Sequence, residues 1–411
     1  MSARKRNWFL ALLFLGWALG NLDRYIMNYA VLSITEDLNL SASSTGILLS
    51  SFFAGYALMQ LPGGWLADRF GARKVLITSV ILWSIFTGLT GAAWSLTSMI
   101  MIRFLFGIGE GGFQPASSKI ISQVFPQEKR AGAMSIMLSS GGIIALIIPI
   151  LSVALLTTIG WRITFVIMGV IGVIIAALYW YFIKIPNQEN ENSYTTNSTG
   201  AQKGSFKMLF KTPLMLNLFI AYFSLYAVNW GLATWIPTYL VNVRGLNLVS
   251  LGWMQTIPGV AQLLGMILSG YVIDKLSKGR EKAAGAFACV CISILLYLMF
   301  TASTVTSFII YQTVIMLIIS FVVILLPAVV LKNLPSSVAG SGMGLVNTGG
   351  QLAGFITPLA IGFIVDAFNG SFNAAFWMLI VFAFICAVAL LTINYEKGEL
   401  LTKKNEEASA S

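Results

Sequence analysis

Apolar runs close to twenty residues long alternate with short polar breaks along almost the whole chain. A helix needs about 20 residues to cross roughly 30 Å of hydrocarbon. Twelve runs meet that length: Trp8–Leu32, Thr45–Leu66, Val75–Ala93, Ser98–Lys119, Ala131–Leu156, Ile163–Ile183, Leu214–Leu240, Leu251–Asp274, Ala284–Thr301, Thr306–Leu331, Gly342–Asp366 and Phe372–Asn394. They predict an all-α membrane protein with twelve transmembrane helices. Thr304 and Ser307 are weak punctuation between the ninth and tenth runs. The first run follows Arg4, Lys5 and Arg6, as a signal peptide would. It continues past Asp23 and Arg24 to Leu32 without a small-residue cleavage site, so it reads as a retained span.

Composition agrees with the pattern. Of 411 residues, 57% are hydrophobic and 10% charged, against roughly 25% charged in soluble proteins. A soluble enzyme, a disordered chain and a disulfide scaffold are excluded. Histidine is absent, which removes the commonest general base and the commonest zinc ligand. Cys289, Cys291 and Cys386 lie in apolar runs and read as small buried hydrophobes. No phosphate-binding Walker loop occurs, nor any cluster of His, Cys and carboxylates. The reading is therefore not an enzyme and not an ATP-driven pump, with no metal and no cofactor.

The net charge of +10 is a matter of placement. With the N-terminus in the cytoplasm, nearly all basic residues fall in cytoplasmic segments or span ends. These include Arg4–Arg6, Arg69, Arg73, Lys74, Lys129, Arg130, Lys275–Lys282 and Lys332. Only Arg162 and Arg244 face the other way, while Arg24 and Arg103 lie inside spans. This positive-inside pattern places both termini in the cytoplasm of a cell inner membrane and makes a nucleic-acid partner unnecessary. The lipid bilayer is the expected surrounding, and a monomer the expected working unit.

The segment Pro186–Ser205 (PNQENENSYTTNSTGAQKGS) is polar and aperiodic and reads as a flexible cytoplasmic loop. Its sequon, Asn197-Ser198-Thr199, is meaningless on that side. The chain thus divides into an N-terminal six-helix bundle (1–184), a linker (185–212), a C-terminal six-helix bundle (213–394) and a tail (395–411). The halves repeat. Gly64–Asp68 and Gly270–Asp274 share one spacing, while Pro126, Met134, Gly141 and Pro149 match Pro335, Met343, Gly350 and Pro358 at a single offset. Two parallel six-span repeats are the plan of rocking-bundle secondary transporters, with the substrate site near mid-membrane.

Four charges lie well inside spans: Asp23, Arg24, Arg103 and Glu110. Each costs at least ~2.5–3.5 kcal/mol at a helix centre, so each marks function by default. Asp274 and Asp366 end their spans and can reach water. Arg103, Gly107, Glu110 and Gln114 share one helical face, and the glycines at 107, 109, 111 and 112 allow close backbone approach. Asp23 and Arg24 are neighbours and point about 100° apart, so each needs a partner elsewhere, Glu110 being the candidate for Arg24. Two buried ion pairs that only fix helix packing are one reading. The other is an anion site with a proton carrier. Arginine offers a planar donor fork suited to a carboxylate, and without histidine a proton must ride on Asp or Glu.

Gly64-Trp65-Leu66-Ala67-Asp68-Arg69-Phe70-Gly71-Ala72-Arg73-Lys74 resembles the signature loop of the major facilitator superfamily. Asp274, Lys275, Lys278 and Arg280 resemble a degraded second copy, and Arg103–Gly109 the fourth-span motif. The resemblance covers essentially the whole chain. It implies a conformational latch in which Asp68 faces the N-terminus of the eleventh span near Gly340–Gly342, with Arg69, Arg73, Lys74 and Arg103 as its basic members; plain positive-inside charge is the other reading of these basic residues. The fifth-span antiporter motif is missing, although Gly141, Gly142 and Pro149 keep fragments of it. Leu22-Asp23-Arg24, Asn28 and Gly107–Pro115 (GIGEGGFQP) resemble the anion:cation symporters, which carry hexuronates, aldonates, aldarates and related carboxylates with protons. That resemblance implies Arg24 as the carboxylate-binding residue and Asp23 and Glu110 as the proton-coupling acids. It also implies Tyr56, Gln60 and Asn347 as substrate contacts. Gln351 and, on the aromatic stripe of the seventh span, Tyr226 and Asn229 are further candidates for substrate binding; Gln255 and Gln262 are similar cases. Gly142 departs from the glutamine common in sugar-acid carriers, and Pro327–Lys332 lacks a polar contact. The expected activity is proton-coupled uptake of a small organic anion, with proton-driven efflux of drugs or metabolites as the alternative. Pro258, Pro327 and Pro358 are expected to be kinks or pivots.

Overall fold

The structure, a computed structural model, describes residues 3–183, 212–276, 279–334 and 336–393. The expected linker and tail, and the sequon, lie outside those residues apart from Thr212. Among the described residues, helices α1 (Ala3–Asp37), α2 (Ala42–Phe70), α3 (Ala72–Gly91), α4 (Leu96–Gly111), α5 (Phe113–Val124), α6 (Gln127–Thr158) and α7 (Gly160–Phe182) form the first series. The second comprises α8 (Pro213–Asn242), α9 (Leu248–Lys275), α10 (Arg280–Phe300), α11 (Val305–Asn333), α12 (Ser336–Ala367) and α13 (Asn373–Leu391). Among the described residues, twelve helical stretches are long and apolar enough to cross a membrane, with α4 and α5 sharing one of them.

Local signals account for the helix ends. The Ser41 hydroxyl caps α2 by accepting from the Ser44 amide, and Ser95 and Ser98 form a reciprocal capping box at α4. Thr304 and Ser307, weak as punctuation, are the cap of α11: the Ser307 amide donates to the Thr304 hydroxyl at 3.1 Å. Pro258, Pro327 and Pro358 lie inside α9, α11 and α12.

The fourth span is not one helix. Pro115 has no N–H to give the Gly111 carbonyl, and its ring would clash there in a continuous helix. Gly111 and Gly112, poor helix formers, lie at the resulting step, and α5 restarts at Phe113 with Pro115 in its tolerant first turn. The sequence reading took Ser98–Lys119 as continuous. The glycines it assigned to close packing also mark this interruption.

Between helices in lipid there is little hydrophobic drive, so association rests on close packing of small residues. α2 and α4 meet backbone to backbone: a Cβ on Gly55 would strike the Phe104 carbonyl, and one on Gly107 the Phe52 carbonyl. This brings the Phe52–Tyr56 turn of α2 beside the polar face of α4. α3 packs on α7 and on α4, and α1 on α6.

The chain forms two compact units. Of the described residues, the first holds those within 1–186 with Leu232–Gly259 and Phe355–Phe372; the second holds those within 187–231, 260–354 and 373–411. The first unit thus contains the first six spans together with those ends of α8, α9 and α12 that lie away from the N-terminus of α1. We call the face bearing that N-terminus proximal and the opposite face distal. In the second unit α10 packs on α11 and α13. There the Cys289 and Cys386 thiols lie side by side, 3.4 Å apart and buried, whereas Cys291 is half-buried rather than a core residue.

Candidate functional site

α1 presents Asp23 and Arg24 on adjacent faces, and each finds a different partner. Arg24 Nη2 donates to Glu110 Oε1 at 2.6 Å, with Glu110 in the last turn of α4, immediately before the helix step. Arg103 Nη1 donates to Asp23 Oδ1 at 3.3 Å, and the Thr87 hydroxyl of α3 donates to Asp23 Oδ2. Both pairs are buried; the Arg24 side chain keeps 11% of its surface against 1–2% for the other three groups. Four intramembrane charges therefore form two pairs across α1 and α4. Arg103, which the sequence reading grouped with the latch, is held by Asp23 in the half of span four nearer the distal face, and not near Asp68.

Aromatic rings line the arginines. The Arg24 guanidinium lies 5.0 Å from the centroids of both Phe52 and Tyr56. Arg103 lies 4.5 Å from Phe106 and 5.6 Å from the same Phe52 ring. Such contacts favour a desolvated cation by roughly 0.5–2 kcal/mol each. The Tyr56 hydroxyl is 3.5 Å from Gln114 Oε1 and faces Arg24 and Gln60. The Arg24–Glu110 pair has spare capacity: Arg24 Nε and Glu110 Oε2 are buried with no hydrogen-bond partner among the described residues. Buried polar atoms are usually satisfied, so an orphaned pair at a charged centre calls for a reason.

Thr87 and Phe52 were missed by sequence reasoning. Threonine and phenylalanine are common in spans, and only the fold sets them beside Asp23 and the arginines. Asn21 is also buried: its side chain bonds the Trp17 carbonyl at 2.7 Å and lies under Gly141 of α6.

The other candidates fall elsewhere. Tyr226 of α8 stacks on Tyr222, 5.5 Å between centroids, and faces Gly350 of α12 within the second unit. Asn229 and Gln351 are half-buried and Asn347 is exposed. At the proximal end of α2, Asp68 is largely exposed and accepts from Lys119 Nζ at 2.7 Å. Arg69 lies over Trp65 and Phe70, and Arg73 donates to the Trp180 carbonyl at 2.6 Å. Of the stretch Gly340–Gly342, where Asp68 was expected to dock, Gly342 packs against Leu334, and the side chains of 335–341 lie outside those described.

Comparison with known proteins gives these features a family. The Major Facilitator Superfamily profile matches residues 13–358. A protein of Cupriavidus necator, named probable sulfoacetate transporter SauU, is 30% identical over 409 residues, covering 95% of this chain and 94% of that one. The hexuronate transporter of Bacillus subtilis is 30% identical over 398 residues, covering 92% of each. Among solved structures, a bacterial homologue of the human lysosomal transporter Spinster aligns with a TM-score of 0.79 at 19% identity, covering 98% of this chain and 99% of that one. Twelve apolar helices, a signature loop and full-length relatives that are transporters agree: the chain is a multi-pass membrane transporter, not an enzyme, and belongs to the Major Facilitator Superfamily.

Proposed function

We propose that this transporter carries out proton-coupled uptake of a small carboxylate, a sugar acid or a close relative, across the cell inner membrane. In this reading the proximal face is cytoplasmic. The observation that carries it is the Arg24–Glu110 pair: buried, framed by Phe52 and Tyr56, and under-satisfied at Arg24 Nε and Glu110 Oε2. A substrate carboxylate takes the guanidinium fork in place of Glu110. Glu110, deprived of its cation in a desolvated setting, is then left to accept a proton, because a lone buried carboxylate is costly. Asp23, held by Arg103 and Thr87, is the second acid of the coupling path. Relatives named for hexuronate and for sulfoacetate, both small and anionic, support this class. The intramembrane arginine favours it over efflux of uncharged or cationic compounds.

The test uses purified protein in proteoliposomes with an imposed pH gradient and a hexuronate as probe. Arg24→Lys should abolish uptake while the protein still inserts; near-normal uptake would remove Arg24 from the site. Glu110→Gln and Asp23→Asn should retain substrate counterflow and lose proton-driven accumulation. Accumulation intact in both variants would refute the coupling role, and substrate movement opposite to that of the proton would establish the efflux reading instead.

A further inference from the structure

The N-terminus of α2, at the distal face, is completed by a residue from the far end of the chain. A helix leaves its first four amides without intrahelical partners. In α2 the first amide with an intrahelical partner is that of Thr45, which bonds the Ser41 carbonyl at 2.9 Å; before it, the Ser44 amide bonds the Ser41 hydroxyl at 3.2 Å. The two amides ahead of that, Ala42 and Ser43, donate to Asp366 Oδ1 and Oδ2 at 3.0 and 2.8 Å. Local sequence thus caps one of the first three helical amides, and the last turn of α12 caps the other two. The carboxylate also sits at the positive end of the α2 dipole.

A second observation shows that the contact is built for close approach. One turn along α2, a Cβ on Gly46 would lie 2.7 Å from the Pro358 carbonyl oxygen. Reciprocally, a Cβ on Gly362 would lie 2.5 Å from the Ala42 carbonyl oxygen. Trp235 of α8 fixes the same stretch by donating to the Pro358 carbonyl at 3.1 Å. Yet Asp366 itself remains exposed, so water can replace its partners. A carboxylate that is bonded bidentately but wetted suits a contact that forms and breaks.

We propose that Asp366 is the distal latch of the transport cycle. Its carboxylate on the α2 N-terminus holds the distal ends of α2 and α12 together, and it releases whenever the transporter opens on that face. Asp366 stands near the C-terminal end of α12 as Asp68 stands near that of α2, so the two helices carry acids at opposite faces. The inference goes beyond the anion reading and needs only a carrier that opens alternately on its two faces.

Double electron–electron resonance on the full-length protein in lipid tests it without substrate. In a background with Cys289, Cys291 and Cys386 replaced by serine, spin labels go on Glu36→Cys and Phe368→Cys, exposed sites at the distal ends of α1 and α12. Asp366→Ala and Asp366→Asn should move population from the short to a longer distance, changing the ratio at least about threefold, with Asp366→Glu closer to the parent. Ala42→Pro removes one donor from the other partner at a helix position that tolerates proline and should shift the population the same way. It keeps the test available if an Asp366 variant does not fold. A distance distribution unchanged in the folded variants makes Asp366 a static cap and overturns the proposal. Failure here leaves the anion reading untouched, because that reading is decided by uptake.

Discussion

Asp23 and Arg24 are neighbours in sequence yet belong to separate ion pairs, and the difference in their surroundings sets what each can do. Asp23 accepts from Arg103 and Thr87 in a fully enclosed setting, whereas the Arg24–Glu110 pair retains unpartnered atoms and some exposure. Removing one member of a buried pair strands the other, at a cost of about 3–5 kcal/mol. Arg103→Ala should therefore lower the melting temperature in detergent far more than Thr87→Val, which removes one hydrogen bond and costs about 1–3 kcal/mol. Equal melting shifts would mean that Asp23 does not depend on its arginine. The charges were legible in the sequence because an ion in an apolar run has no bland explanation. Thr87 was not: a hydroxyl in a span usually bonds its own helix, as the Thr90 hydroxyl does to the Phe86 carbonyl, and only the packing of α3 shows otherwise.

At the scale of elements, the feature that positions Glu110 is the step between α4 and α5. Interrupted helices recur at transporter binding sites because the freed backbone groups face the cavity. Here the step places Glu110 on the last turn of one helix and Gln114 on the first turn of the next, both close to the Arg24–Tyr56 cluster. Pro115→Ala restores the missing N–H and lets the helix run on, so uptake per inserted carrier should fall at least about threefold. Uptake equal to wild type would show that the step has no part in transport. The sequence carried the signals for this step in GIGEGGFQP, but a glycine-rich helix face and a helix break use the same residues. By contrast, the twelve spans, set by hydrophobic length alone, were found close to their expected limits. Asp366 was read only as a residue at the water-facing end of a span, because its partners at Ala42 and Ser43 lie more than three hundred residues away.

For the whole molecule, packing leaves open which face meets the cytoplasm, and charge distribution supplies the prediction. The distal connections carry Asp37 and Asp366, with Arg162 committed to the Ala93 carbonyl and paired with Asp37. The proximal connections carry Arg69, Arg73, Lys74, Lys129 and Arg130, several on aromatic faces or carbonyls at helix ends. Translocating that basic side would be resisted, so the proximal face should stay in the cytoplasm. Two exposed single cysteines in the cysteine-free background decide the matter. Asn39→Cys, in the α1–α2 turn, should react with a membrane-impermeant maleimide on intact cells. Glu128→Cys, at the start of α6, should react only after permeabilisation. The reverse pattern would place the basic loops outside.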